Sequence, residues 1–421
     1  MQDIERVDRC RVCGRDDWLD IISFGSAPLA NGLLDPAADD ADEQAYPLDV
    51  ALCRECGLMS LRHIVNPEKL FRYFVWVSSD SALMTRHRQR VFGWCAEKSG
   101  MAAGDLVVEM GSNVGTQLAL FQERGLRTVG VDPARNLARI ANDRGVETVA
   151  DFFGPEVTAS IRETHGAAKL VMGHQCFAHI DDVHNVLDGV DRVLAPDGTL
   201  VIEVPYVLDL LDENQFDTIY HEHLSYYSLT TLSRLFASHG LPVVDVERAD
   251  VHGGSIVVFA AREGSGRRPS ARVADLLALE ERRGLTTARP YLEFADRTRR
   301  TIDAIGDVVR GLAAEGKRIA GYGAPSKGST LLQMCGLTPA EVQFCSDTTS
   351  FKQGKLLPGS RIPIRSPEQA RAQAPDYYLL LAWNYAEEII AKEQAFLDAG
   401  GRFIVPIPQP RIVDSALTAS A

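Results

Sequence analysis

The chain lacks any run of eighteen or more apolar residues, so no membrane-spanning helix and no membrane partner are expected. It also lacks a basic excess. Lys and Arg number 44 against 57 Asp and Glu, a net charge of −13, which argues against a nucleic-acid partner because that affinity rests on cations neutralising phosphates. Met1 to Arg9 is polar and acidic and lacks an apolar stretch, so it does not read as a signal peptide and a cytoplasmic location is expected. Internal repeats are absent, and the one biased tract is the acidic Ala37–Glu43 stretch. Eight cysteines in 421 residues are too few for a disulfide scaffold, and in that compartment they read as thiols or metal ligands. What remains is an ordinary globular composition, 45% hydrophobic and 24% charged, at a length that suits two to three domains.

Three segments can be traced along the chain. Residues 1–67 are poor in helical periodicity and hold four of the cysteines. Residues 68–265 alternate short apolar runs (Leu106–Met110, Thr128–Asp132, Leu170–Met172, Thr199–Glu203) with amphipathic stretches, which implies a parallel sheet with crossover helices. Val243–Arg248 and Ser255–Ala261, joined by a short glycine-containing link, suit an antiparallel hairpin at the sheet edge. Across the second boundary runs a linker, Glu263-Gly264-Ser265-Gly266-Arg267-Arg268-Pro269. Residues 266–421 then hold charged helices and a second, smaller α/β pattern, with strands expected at 318–322, 342–346, 377–381 and 402–405 and helices over 327–334, 367–373 and 385–399.

Cys10-Arg11-Val12-Cys13 and Cys53-Arg54-Glu55-Cys56 are two Cys-x-x-Cys turns. Two such turns complete a tetrahedral Cys₄ site, and a closed set of four thiolates suits a structural zinc ion. Gly14 and Gly57 follow the turns, where backbone freedom at positive φ is useful. The stretch between the pairs is expected to form its own loop.

After the first apolar run comes Glu109-Met110-Gly111-Ser112-Asn113-Val114-Gly115, a glycine loop that opens a helix. Asp132 ends the next strand, where a carboxylate can accept ribose hydroxyls. Asp151-Phe152-Phe153 follows the third strand and offers a polar group and aromatic faces for an adenine. Gln175 and His179 lie on the rim after the fourth strand. A dinucleotide and S-adenosylmethionine both suit the first two features. Glu109 before the glycines and the terminal hairpin favour S-adenosylmethionine.

Tyr220-His221-Glu222-His223 is the densest run of ionisable and aromatic groups and suits acid–base catalysis. It is not His-Glu-x-x-His, so a zinc-protease centre is unsupported. Near the C-terminus, Gly321-Tyr322-Gly323-Ala324-Pro325-Ser326-Lys327-Gly328 joins a strand to a helix whose free N–H groups suit phosphate. Ser326, Lys327, Asp347, Lys352, Trp383 and Asn384 would line the same edge, and a diphosphate-bearing substrate fits them.

In this order the motifs resemble the nucleotide-diphosphate-sugar C-methyltransferases of deoxysugar biosynthesis, over essentially the whole chain. The likeness rests on the two Cys-x-x-Cys turns, the Glu-x-Gly-Ser-Asn-x-Gly loop, Tyr-His-Glu-His, His252-Gly253-Gly254-Ser255, Gly-x-Gly-Ala-x-x-Lys-Gly and Lys352-Gln353-Gly354-x-x-Leu357-Pro358-Gly359. It implies a class I S-adenosylmethionine methyltransferase core, Rossmann-like, between an N-terminal zinc-binding domain and a smaller C-terminal α/β domain. It further implies a 4-keto-6-deoxyhexose, usually on thymidine diphosphate, methylated at a carbon beside the ketone, with C3 favoured over C5. By motif position His223 would be the base, with Tyr220 and Glu222 positioning it or the substrate; Trp76, Ser78 and His221 join the substrate-binding set. The chain departs from the family pattern at Val114, Trp76 and Val257, which stand where an acid, a tyrosine and an arginine are usual. A monomer is expected. Two other readings compete: a nicotinamide-dependent nucleotide-sugar oxidoreductase using Asp347, and a nucleic-acid methyltransferase with a zinc reader module.

Overall fold

The computed structural model describes residues 3–39, 43–74, 77 and 81–415. The chain divides into two compact units, each made of three segments: Met1–Asp20, Val50–Leu208 and Glu222–Pro290 in the first, Ile21–Asp49, Asp209–His221 and Tyr291–Ala421 in the second.

The first unit is built on a seven-stranded sheet with the order Val243–Ala249, Ser255–Ala261, Leu194–Pro205, Ala168–His174, Leu106–Met110, Arg127–Val131, Thr148–Val149. Leu106–Met110 is buried along its full length and pairs in parallel on both sides, which explains its near-continuous apolar run. From this strand the chain builds outward first to one side and then to the other. The carboxyl ends of Leu106–Met110 and Ala168–His174 therefore open the crevice where α/β sheets bind ligands. The expected edge hairpin is present: Val243–Ala249 pairs antiparallel with Ser255–Ala261, which pairs antiparallel with Leu194–Pro205.

Helices cover the sheet through apolar stripes. Val183–Val193 buries Val183, Val186, Leu187, Val190 and Val193, the three- and four-residue spacing of one face, and Asp182 caps it by accepting from Asn185 N. The turns of the cysteine motifs sit beside short antiparallel strands: Val50 pairs with Leu61, and Ser60 with Ser225.

The stretch between the cysteine pairs is not merely a loop. It carries strands Trp18–Pro28 and Ala45–Cys53. In the second, Tyr46, Leu48 and Val50 are buried in alternation, a period of two that reads as a half-buried strand.

The second unit holds a six-stranded sheet with the order Ile364–Arg365, Cys345–Ser346, Ile319–Tyr322, Tyr377–Leu380, Arg402–Val405, Arg411–Val413, parallel except for the last strand. Its chain reversal lies between Ile319–Tyr322 and Tyr377–Leu380. The strand expected over 342–346 is reduced to Cys345–Ser346, although Val342 and Phe344 are buried. The helix expected over 385–399 is two, Ala386–Lys392 and Gln394–Asp398, interrupted at Glu393, whose carboxylate accepts from the Tyr322 hydroxyl at 2.7 Å. Residues 209–221 are fixed to helix Arg289–Ala314 by Asn214, which donates to Thr301 Oγ1 (3.0 Å) and accepts from Thr298 Oγ1 (3.1 Å).

Candidate active site and metal centre

Cys10, Cys13, Cys53 and Cys56 bring their sulfurs within 4.8 Å of one another. Cys10–Cys56 and Cys13–Cys53 are each 3.5 Å apart. A tetrahedron of sulfurs at ~2.3 Å from a zinc ion has edges of about 3.8 Å, so the set fits that ion. The two turns share a backbone device: Gly14 N donates to Cys10 O (2.8 Å), Gly57 N donates to Cys53 O (2.9 Å), and both glycines have positive φ. Hydrogen bonding among the sulfurs pushes Cys10 up to about 12 and Cys56 well above its ordinary value, and draws Cys53 far down. A dication is the partner that would let all four ionise.

At the crevice of the first unit, the Gly111–Gly115 loop follows the Leu106–Met110 strand. Gly111 has φ +65°, and a Cβ there would stand 2.6 Å from Cys176 Cβ. Gly115, at φ +75°, is held by packing, since a Cβ would meet Val146 at 2.8 Å. Ser112 and Asn113 are buried, and Asn113 also has positive φ. Asp132 accepts from Asn113 N (2.7 Å) and Ala134 N (2.8 Å), so it braces the loop; burial raises its pKa. Asp151 accepts from Arg72 at 3.2 Å, and the same guanidinium lies 4.6 Å over the Phe152 ring. Phe153 is buried in the core.

Under the loop lies a buried polar group that the sequence reading did not single out. His174 Nδ1 donates to Glu109 Oε1 at 3.0 Å, and His87 Nε2 donates to Glu203 Oε1 at 2.8 Å. Burial raises the pKa of Glu109. Burial also opposes the His174 cation, but the Glu109 carboxylate prevails and raises the His174 pKa. Burial alone would raise Glu203; the bond to His87 and nearby imidazoles bring it net below its ordinary value. Glu109 Oε2 and His174 Nε2 are buried without a hydrogen-bond partner. The missed signal was Glu203, a lone charge inside the apolar run Thr199-Leu200-Val201-Ile202-Glu203-Val204.

Gln175 has positive φ (+54°) and donates to Ser255 Oγ at 2.9 Å. His179 ends the short Phe177–His179 turn and meets the His223 ring edge-on, 4.9 Å between centroids. Burial lowers His179 to about 4, so it is neutral near pH 7. Leu224 N donates to Ala178 O at 2.9 Å, which fixes the backbone beside both rings. Glu222 is buried next to His223 in the first unit. Tyr220 and His221 belong to the second unit, where His221 Nε2 donates to Tyr46 O at 3.1 Å. Trp76 and Ser78 lie outside the described residues.

In the second unit the expected residues gather at the chain reversal. Asp347 accepts from Ala324 N (2.7 Å) and Thr349 N (2.8 Å), and Lys352 Nζ donates to Ala324 O (2.9 Å). Ser326 Oγ donates to Asn31 Oδ1 at 2.7 Å. The Lys327 ammonium lies 4.6 Å from the Trp383 ring centroid, and burial lowers its pKa. Trp383 Nε1 donates to Asp217 Oδ2 at 2.6 Å; burial raises the Asp217 carboxyl to about 6. Asn384 Oδ1 is buried without a hydrogen-bond partner. Asp217 was missed because it lies far from the glycine turn in sequence.

Three family models match the chain: a zinc binding domain over residues 10–71, a methyltransferase domain over residues 77–246 and a C-methyltransferase C-terminal domain over residues 250–408. The chain is 58% identical over 419 residues to C-methyltransferase NovU of Streptomyces niveus, covering 99% of this chain and 100% of that protein. Among solved structures it is similar to magnesium protoporphyrin IX methyltransferase (ChlM) of Synechocystis PCC 6803 with bound SAH, at 13% identity, 44% of this chain, 90% of that chain and a TM-score of 0.35. A second is N-methyltransferase NodS of Bradyrhizobium japonicum WM9, at 12% identity, 45% of this chain, 99% of that chain and a TM-score of 0.33.

Proposed function

The chain belongs to the S-adenosylmethionine-dependent C-methyltransferases, and on that premise we propose that it methylates a carbon beside the C4 ketone of a nucleotide-linked 4-keto-6-deoxyhexose. C3 rather than C5 is the assigned carbon, and thymidine diphosphate the assigned carrier. Family membership sets the oxidoreductase reading aside. The charge of −13 continues to oppose a nucleic-acid substrate.

The observation that carries the reading is the pairing of His179 with His223 near the carboxyl end of the Ala168–His174 strand. Two imidazoles this close cannot both hold a proton cheaply. Burial keeps His179 neutral, so the base role within the pair is assigned to His223. A ketone acidifies the neighbouring C–H bond. His223 removes that proton, and the resulting enolate carbon forms the new C–C bond. S-adenosylmethionine, when bound, supplies the electrophilic methyl group. Glu222, buried beside His223, orients the ring, and Tyr220 contacts the sugar.

The glycine loop, Glu109 and Asp132 fit that cofactor. Gly111 opens the backbone for close approach, and Glu109 Oε2 is a buried acceptor without a partner, suited to a ligand that carries positive charge. Gln175, Phe152 and Asp151 complete the set. Lys327, Trp383 and Asn384, with Ser326 and Lys352, hold the nucleotide diphosphate. Cys10, Cys13, Cys53 and Cys56 hold a structural zinc ion. A three-part division at 1–67, 68–265 and 266–421 and a cytoplasmic location go with this reading.

The test is proton NMR of a thymidine-diphosphate 4-keto-6-deoxyhexose in D₂O with enzyme and S-adenosylmethionine. A new methyl singlet with loss of H3 is the expected result. Loss of H5 instead would move the assignment to C5. No new methyl signal, with cofactor binding demonstrated, would overturn the substrate assignment.

A further inference from the structure

A residue between the first two cysteines has a side chain turned away from solvent and bonded to segments that flank the histidine pair. Arg11 is nearly fully buried, its side chain only 2% exposed. Its Nε donates to Asp181 Oδ1 at 2.6 Å, and its Nη1 donates to Leu61 O at 2.9 Å and to Ser60 Oγ. Each of these partners leads to a catalytic candidate. Asp181 stands two residues after His179, just beyond the Phe177–His179 turn. Ser60 Oγ donates to Leu224 O at 3.0 Å, and Leu61 N donates to the same carbonyl at 2.9 Å. Leu224 in turn follows His223 and donates through its own N–H to Ala178 O.

These bonds close into a ring. It runs from Arg11 through Asp181 to the turn that carries His179, across to Leu224 beside His223, and back through Ser60 and Leu61 to Arg11. A charged guanidinium with several fixed donors suits such a hub. A lysine has a single flexible ammonium and cannot span the same partners with one geometry. The second cysteine turn reaches the same neighbourhood. Thr231 Oγ1 donates to Cys56 O at 3.4 Å and Arg234 Nη1 to Glu55 O at 2.5 Å, from the helix Leu229–Ala237 that follows His223.

We propose that Arg11 is a positioning residue for methyl transfer: it transmits the geometry of the cysteine turns to the His179–His223 pair. This rests on the proposed role of His223. The cysteine-rich module is then part of the catalytic apparatus, acting through backbone and side-chain bonds, as well as a local fold stabiliser.

The test uses the full-length, zinc-loaded protein and the variants Arg11→Lys and Asp181→Asn. Metal content, S-adenosylmethionine affinity, kcat and KM for the keto sugar, and the NOE between the two histidine rings are measured on each. Expected for Arg11→Lys is unchanged metal content and cofactor affinity, KM within about twofold, kcat lower by roughly tenfold or more, and a weakened ring NOE. Asp181→Asn keeps a neutral acceptor at the turn and is expected to lose less. Should Arg11→Lys fail to fold, Asp181→Asn carries the test, with lower kcat at unchanged KM and cofactor affinity. The proposal is overturned if kcat and the NOE match wild type, or if kcat falls only together with metal content and cofactor affinity. If the wild-type protein does not methylate the keto sugar, the proposed function fails instead, and the NOE comparison still decides the role of Arg11.

Discussion

Glu280 accepts a hydrogen bond from the Tyr206 hydroxyl at 2.8 Å, and the same carboxylate caps a helix to which it does not belong. Its two oxygens also accept from Leu229 N (2.7 Å) and Thr230 N (2.8 Å), the opening residues of Leu229–Ala237. An anion at a helix N-terminus satisfies orphan donors and meets the positive end of the dipole. One side chain from helix Ala271–Arg283 thereby supports the start of the helix after His223, alongside its N-cap Ser228, whose hydroxyl accepts from Thr231 N.

Removing that carboxylate is expected to be costly, because it strands several buried donors. Glu280→Ala should lower stability by about 3 kcal/mol, and Glu280→Gln by about 1 kcal/mol, since an amide oxygen still accepts. Chemical denaturation of both variants checks the ranking; equal losses would mean that the hydrogen bonds are not what matters.

Gly111 and Gly104 form a matched pair for the glycine loop. Both have positive φ, but a Cβ at Gly104 meets nothing within 4 Å, whereas one at Gly111 collides with Cys176. Gly104→Ala should cost about 1 kcal/mol of backbone strain and leave cofactor binding intact. Gly111→Ala should in addition weaken S-adenosylmethionine binding by about tenfold or more, read by calorimetry.

Metal loading should be stoichiometric, with one zinc per chain by elemental analysis. Cys53→Ser is expected to lose the metal and to lower the thermal midpoint, since structural zinc contributes directly to folding. A variant that retains full zinc occupancy would refute the four-sulfur assignment.

His223→Ala should lower kcat by about 10²-fold or more, with S-adenosylmethionine affinity near wild type. Solvent deuterium exchange at the substrate carbon should slow in parallel when cofactor is withheld. Exchange that persists at the wild-type rate would assign the base elsewhere.

His179 predicts a pH dependence of stability. Its folded pKa of about 4 lies below the ordinary histidine value, so between roughly pH 6.5 and 4 the unfolded chain binds more protons. The contribution is present above that window and is lost as pH falls through it, by up to about 3 kcal/mol. His179→Gln should flatten this part of the profile, measured by denaturant midpoints across the range.

Much of this architecture was legible because burial on both faces leaves a plain mark. The runs at 106–110, 170–172 and 199–203 read as central strands because they are apolar on consecutive residues, and Gly111 read as a turn residue because its role is local. The strand Ala45–Cys53 is harder to read although its Tyr46, Leu48, Val50 alternation is regular, because the long gap between the cysteine pairs is equally compatible with a loop. The His174–Glu109 and His87–Glu203 pairs were invisible for another reason: their partners stand 65 and 116 residues apart, and the first pairing is set by sheet register and the second by the packing of helix Ala82–Ser99, neither of which local patterning contains. In the sequence Arg11 is one of two spacer residues between ligands. Nothing near it in sequence foreshadows Asp181.

The path of the chain bears on how the protein can be made and divided. Each compact unit is completed only after the other has begun, because the chain changes unit after residues 20, 49, 208, 221 and 290. During synthesis the first unit must wait for residue 290 before its last segment emerges, and by then two of the three pieces of the second are already outside the ribosome. A cut at the boundary between the matched family segments, near residues 246–250, severs the Val243–Ala249 strand from its hairpin partner. Fragments made there will need each other to fold, and exchanging segments between relatives should succeed only when the interleaved pieces travel together.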